Sequence, residues 1–150
     1  MVGDGELRNE LEKMARGLPV EFLGQVDADD AKEEIGRAKL LVVPSECFEG
    51  FPMVLREAFA LGTPSAVSNI GPLPDLVGDP ESGGTFAPGD AESLLNSVRG
   101  AWENPGLMEK WSQGARAAFE SKYTEDANYA MLMQIYEQAI ERARREARDH

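Results

Sequence analysis

The chain has 150 residues, 42 % of them apolar and 28 % charged, which suits one globular domain able to bury its own core. Its 15 basic and 27 acidic residues leave a net charge of −12, a surface that repels phosphate-coated nucleic acid. The single cysteine, Cys47, excludes an internal disulfide, so a cytoplasmic setting is the default, and no apolar run reaches the length of a transmembrane segment or a secretory leader.

Helix and strand signals alternate through the first half. Leu7, Leu11, Met14 or Ala15, and Leu18 recur at helical spacing, so residues 6–17 read as an amphipathic helix. Residues 20–24, Val-Glu-Phe-Leu-Gly, read as a short strand. Asp29 or Asp30 is placed to cap a second helix running to about Ala38. Leu40 to Val43 is a continuous apolar run stopped by Pro44, as in a parallel strand buried on both faces. A loop over Ser45 to Phe51 leads into a helix from Pro52, suited to a first helical position, to Leu61, with Gly62 as its stop. Pro64 to Ser68 reads as a strand, Asn69 to Asp75 as a loop, and Gly83 to Phe86 as a turn entering a last strand.

The remainder reads as helical. Asp90 caps one helix that ends before Asn104 and Pro105. Leu107 or Met108, Trp111, Ala115, Ala118 and Phe119 make the apolar face of the next. Thr124 caps the last, whose Met131, Leu132, Ile135, Tyr136, Ala139, Ile140 and Ala143 form a stripe expected to be buried. The basic end, Arg142 to Arg148, reads as a solvated helix terminus where cations favour the dipole. Strands separated by helices imply an α/β fold with a Rossmann-like parallel sheet, and ligands of such sheets bind beyond the carboxyl ends of the strands.

Glu49 and Glu57 therefore occupy a telling place. Their spacing alone is a weak signal in so acidic a chain. They nevertheless bracket a loop-to-helix junction directly after the strongest strand. Gly50 lets the backbone approach a ligand, and the free amides around Met53, Val54 and Leu55 suit an anion such as a nucleotide diphosphate. A carboxylate can accept from two adjacent sugar or ribose hydroxyls, each bond contributing about 1.5–3 kcal/mol. Taken singly, Glu49 also reads as a dipole-compensating surface residue. Glu57, in a mostly apolar helix, must either face solvent or hold a partner.

Four ordered blocks around this pair resemble the retaining glycosyltransferases of family 4, which have the GT-B fold. VGDGELRNELE is similar to a turn and helix of their C-terminal domain, and VEFLGQV to their strand and base-contacting loop. AKLLVVPSECFEGFPMVLREAFALGTPSAVS resembles their signature block, and NIGPLPDLVGDPESGGTFAPGD the block after it, with Asp75 where glutamate is usual. The resemblance implies that Glu49 contacts donor-sugar hydroxyls as the catalytic-site glutamate and that Glu57 binds the ribose. It implies that backbone at Gly50, Phe51, Pro52, Met53 and Val54 approaches sugar and phosphate, Pro52 offering no N–H. It places the base at Gly24, Gln25 and Val26.

The reaction implied is hexosyl transfer, with retention, from a UDP- or GDP-linked sugar to an acceptor hydroxyl, without metal or other cofactor. Residues 1–150 would be one partial domain, the C-terminal half of a GT-B fold lacking its first strand and helix. In the strand order 3-2-1-4-5-6, the strands at Val20 and Leu40 would lack the strand between them. The diphosphate-neutralising arginine and lysine, and an N-terminal domain holding the acceptor sugar or lipid, would lie before Met1, so the chain alone is expected to be inactive. The complete enzyme would be cytoplasmic, with peripheral attachment to the inner membrane face as an option.

Two other readings compete. One is a non-catalytic module that binds nucleotide sugars or a partner. The other is a sugar epimerase on the same fold, disfavoured because a Ser-Gly-Gly loop is expected where Ser45 to Gly50 stand. Cys47 has no histidine near it, and the only histidine, His150, is the last residue, so neither a thiol–histidine pair nor a zinc cluster is expected. Trp102, Trp111, Tyr129 and Tyr136 sit at helical spacings that suit a core.

Overall fold

The computed structural model describes residues 1–78 and 81–146. Arg148 and His150 lie outside them, as do Asp79 and Pro80 of the fourth block. Three short strands form one parallel sheet in the order β1 (Leu41–Val43), β2 (Ser65–Ser68), β3 (Gly83–Phe86). Leu41 pairs with Ser65 and Val43 with Val67, while Ser65 pairs with Gly83 and Ser68 with Phe86. β2 lies between its neighbours and all four of its residues are buried.

β1 departs from expectation. Val43 is buried, but Val42, which points to the opposite face of the sheet, is 37 % exposed; β1 is an edge strand paired only with β2 among the described residues. The strand expected at residues 20–24 shrinks to a parallel bridge between Val2 and Gly24. Among the described residues it pairs with Met1 to Gly3: the Gly3 N–H donates to the Gly24 carbonyl at 2.7 Å and the Leu23 N–H to the Met1 carbonyl at 2.9 Å.

The helices begin where caps place them. α1 (Arg8–Met14) is held by Arg8, which bonds Asp4 at 3.2 Å and Glu12 at 2.8 Å, but Leu7, Leu11, Met14 and Leu18 stay exposed. α2 (Ala28–Arg37) is capped by Asp27 rather than Asp29 or Asp30: one Asp27 oxygen accepts from both their amides, at 3.0 and 2.9 Å. α3 (Met53–Leu61) takes Pro52 as its extended N-cap, not its first helical residue, and stops at Gly62, whose φ of 69° is left-handed. Residues expected as loop instead start α4 (Leu73–Gly78). Prolines 72 and 74 permit this because a helix leaves its first amides unbonded anyway, and Leu73 and Val77 repay the turn with burial.

Asp90 caps α5 (Ala91–Trp102) through the amides of Glu92 and Ser93. Asn104 caps α6 (Pro105–Ala118), with Pro105 in its first turn. α6 runs into one π turn over Phe119–Tyr123 before Thr124 opens α7 (Glu125–Glu146). Val43, Leu55, Phe59, Val67, Leu73, Val77, Ala115 and Ala118 form the core between sheet and helices.

Trp111 joins the core side as expected, whereas Trp102, Tyr129 and Tyr136 are exposed. The α7 stripe expected to be buried is exposed too, from Met131 to Ile140. Its spacing marks a face that favours covering; α7 meets chiefly the π turn, which leaves that face open.

Candidate functional site

The carboxyl ends of β1, β2 and β3 bring three loops side by side, and the Ser45–Phe51 loop is the centre of the group. The Ser45 hydroxyl donates to the Glu49 carboxylate, which is half-buried. Glu46 lies beside Gly89 in the loop after β3, and Phe48 lies against Gly71 in the loop after β2. The loop after β2 is itself tied to β3 by the Asn69 N–H, which donates to the Phe86 carbonyl at 2.7 Å.

The far end of the loop is fixed by aromatic contacts. The ring of Phe51 is 5.2 Å from that of Tyr123, which stacks 5.9 Å from buried Phe59. Burial pushes the Tyr123 phenol above its ordinary value. Pro52 is buried, so the chain enters α3 at a set angle. No side chain caps α3 and no acidic residue stands in its first turn. The positive end of its dipole, with the Met53 and Val54 amides, therefore keeps its attraction for an anion.

Glu57 sits one turn further along α3. It is half-buried and, among the described residues, makes no ion pair or side-chain hydrogen bond. Arg56 beside it is exposed. Glu49 and Glu57 thus flank one helix start, the first carboxylate held by a hydroxyl and the second without a partner among the described residues. Gly24 is placed differently: it is buried against Met1 to Gly3, with the Arg8 guanidinium packed on it. Gln25 is exposed and Val26 half-buried. Hydrogen bonding to Glu12, then the charge of Asp4, raises the Arg8 pKa further above its ordinary value.

A cleft of about 480 Å³ opens at the other, amino end of β1 and β2, between Lys39, Leu61, Thr63, Trp102 and Met108. It contains neither glutamate. Cys47 is a free, exposed thiol in the crevice loop. Among the described residues no group of His, Cys, Asp or Glu is arranged to hold a metal ion, and no helix is long and apolar enough to cross a membrane.

Ser45, Phe48, Gly71 and Tyr123 are parts of this site that sequence reasoning did not single out. Ser45 could have been found, since it starts the same loop as Glu49. The others depend on contacts between segments distant in sequence.

This architecture, a parallel three-stranded sheet with helices around it, is that of the GT-B glycosyltransferases. A sequence profile of the family "Glycosyl transferases group 1" matches residues 1–118, and the chain belongs to that family. It is 28 % identical over 142 residues to the sulfoquinovosyl transferase SQD2 of Arabidopsis thaliana, covering 93 % of this chain and 28 % of that protein. Among solved structures it resembles the sucrose-phosphate synthase of Thermosynechococcus elongatus at 28 % identity and a TM-score of 0.76, covering 91 % of this chain and 35 % of that one. Anabaena Alr3699/HepE, solved in complex with UDP-glucose, shares the fold with a TM-score of 0.75 at 23 % identity, over 91 % of this chain and 40 % of its own. The chain spans less than half the length of each.

Proposed function

We propose that the chain is the donor-binding, C-terminal domain of a retaining family 4 glycosyltransferase. In the complete enzyme it would hold a UDP- or GDP-linked sugar while a hexosyl group passes to an acceptor hydroxyl. The observation that carries this is the pair itself: Glu49, held by Ser45, and Glu57, without a partner among the described residues, on either side of an uncapped helix start. The group 1 family match and the UDP-glucose complex of Anabaena Alr3699/HepE support the same reading.

Each part has a defined task. Glu49 accepts hydrogen bonds from two sugar hydroxyls, and Ser45 fixes the carboxylate in place. The amides of Gly50, Phe51, Met53 and Val54 face the sugar and diphosphate; Pro52 contributes shape but no donor. Glu57 takes the ribose hydroxyls, and Gly24, Gln25 and Val26 cradle the base. The acceptor, a sugar or a lipid, would be supplied through a second domain. No metal or other cofactor is part of this scheme, and the complete enzyme would work in the cytoplasm, at the membrane face if its acceptor is a lipid.

The deciding experiment is titration calorimetry with UDP and GDP on the wild type and Glu57→Gln. Loss of a charge-assisted pair of bonds should weaken one nucleotide by about tenfold or more. Equal affinity of the two folded proteins would remove Glu57 from the site.

A further inference from the structure

Phe48 is a crevice residue that no role above uses. It is large and apolar, yet 74 % exposed, and it immediately precedes Glu49. Lone exposed aromatics are ordinary. This one is seated. Its ring rests on Gly71, the turn residue after β2, whose φ is +55°. A Cβ at Gly71 would come within 2.9 Å of both Cδ2 and Cε2 of the ring, so glycine is what lets the ring lie there. Phe48 therefore bridges the loops after β1 and β2, backed by Gly71 on one side and open on the rest.

We propose that Phe48 is a stacking platform for the glycosyl ring of the donor. The inference rests on the donor-site reading above and adds the group that meets the sugar's apolar side. A pyranose presents hydroxyls at its rim and C–H groups on its faces. A carboxylate suits the rim, and an open aromatic ring on the neighbouring residue suits a face. On that reading the nucleotide is assigned to Glu57 and to Gly24 to Val26, which leaves Phe48 to the sugar. Its identity then contributes to which sugars are held.

The test is calorimetric titration of the full chain with UDP, UDP-glucose, GDP and GDP-mannose, for the wild type and for Phe48→Ala, Phe48→Trp and Gly71→Ala. The wild type should bind one nucleotide sugar more tightly than its bare nucleotide. Phe48→Ala should remove about fivefold of that excess and leave bare-nucleotide affinity unchanged. Phe48→Trp should keep the excess. Gly71→Ala, which displaces the ring without deleting it, should behave as Phe48→Ala does. Equal weakening of nucleotide and nucleotide sugar would overturn the proposal, because it would make Phe48 only a brace for the loop. An unchanged excess in Phe48→Ala, or no excess in the wild type, would overturn it too. A wild type that binds none of the four ligands would sink the donor-site reading itself, and that result appears before any variant is compared.

Discussion

The hydroxyl of Ser45 donates to the carboxylate of Glu49, four residues further along the same loop. The bond ties the glutamate to the end of β1 and sets which oxygen remains for a ligand. Ser45→Ala should let the carboxylate turn away. A net bond of about 1 kcal/mol predicts roughly a fivefold loss of nucleotide-sugar affinity, with bare nucleotide unaffected and Ser45→Thr near wild type. Indistinguishable titrations of Ser45→Ala and wild type would show that Glu49 is fixed by other means.

Tyr123 links the loop to the core through Phe51 and Phe59. Tyr123→Ala should destabilise the fold by about 3 kcal/mol in urea unfolding and loosen ligand binding as well. Burial raises the phenol pKa, so the neutral form is favoured in the folded state. The contribution is present below the ordinary value of 10.0 and is lost as pH rises through the folded value. Tyr123→Phe keeps the rings and should flatten that alkaline loss; an unchanged alkaline limb would contradict it.

Glu81 carries the acid-side prediction. A hydrogen bond from Lys110, then one from the Trp111 indole at 2.9 Å, lowers its pKa below the ordinary carboxylate value of 4.5. A lowered value stabilises the fold above pH 4.5, and that gain disappears as pH falls through the folded value. Glu81→Gln should therefore shift melting temperature at neutral pH more than at pH 3. A shift of equal size at both would assign the effect to packing.

Two substitutions separate core from cap. Leu55 is fully buried on α3, and Leu55→Ala should lower unfolding free energy by about 2–5 kcal/mol. Asp90 caps α5 at the surface, and Asp90→Ala should lower it by only about 1 kcal/mol. Chemical denaturation of the pair measures both, and the reverse order would misplace the core.

Much of this was legible in the sequence because local rules governed it. The run Leu40 to Val43 with Pro44, the Asp90 cap, the Gly62 stop and the Trp111–Ala115–Ala118 face each act within a few residues. The glutamate pair could be placed for the same reason: a loop after a strand and before a helix is a local pattern. Apart from the caps at Asp27 and Pro52 and the start of α4, what failed was non-local. The spacing of Met131, Leu132 and Ile135 shows which face of α7 would favour cover, but not whether anything covers it. Val42 is exposed because its face of β1 is left partly uncovered, which the apolar run itself does not reveal. The α4 turn was hidden by prolines that usually signal loop. Phe48 and Gly71 are twenty-three residues apart, and neither announces the other.

β1 carries the Glu49 loop on the margin of the sheet, paired on one side by β2. Amide protons along a central strand exchange with solvent only when the sheet opens, whereas those on a margin exchange through smaller, more frequent fluctuations. The Ser45–Phe51 loop thus hangs from one of the two margins of the sheet, β3 being the other, and not from its central strand. A ligand gripping Glu49 and the start of α3 would slow exchange in β1 more than in β2, so the grip on the donor and the firmness of that margin rise and fall together.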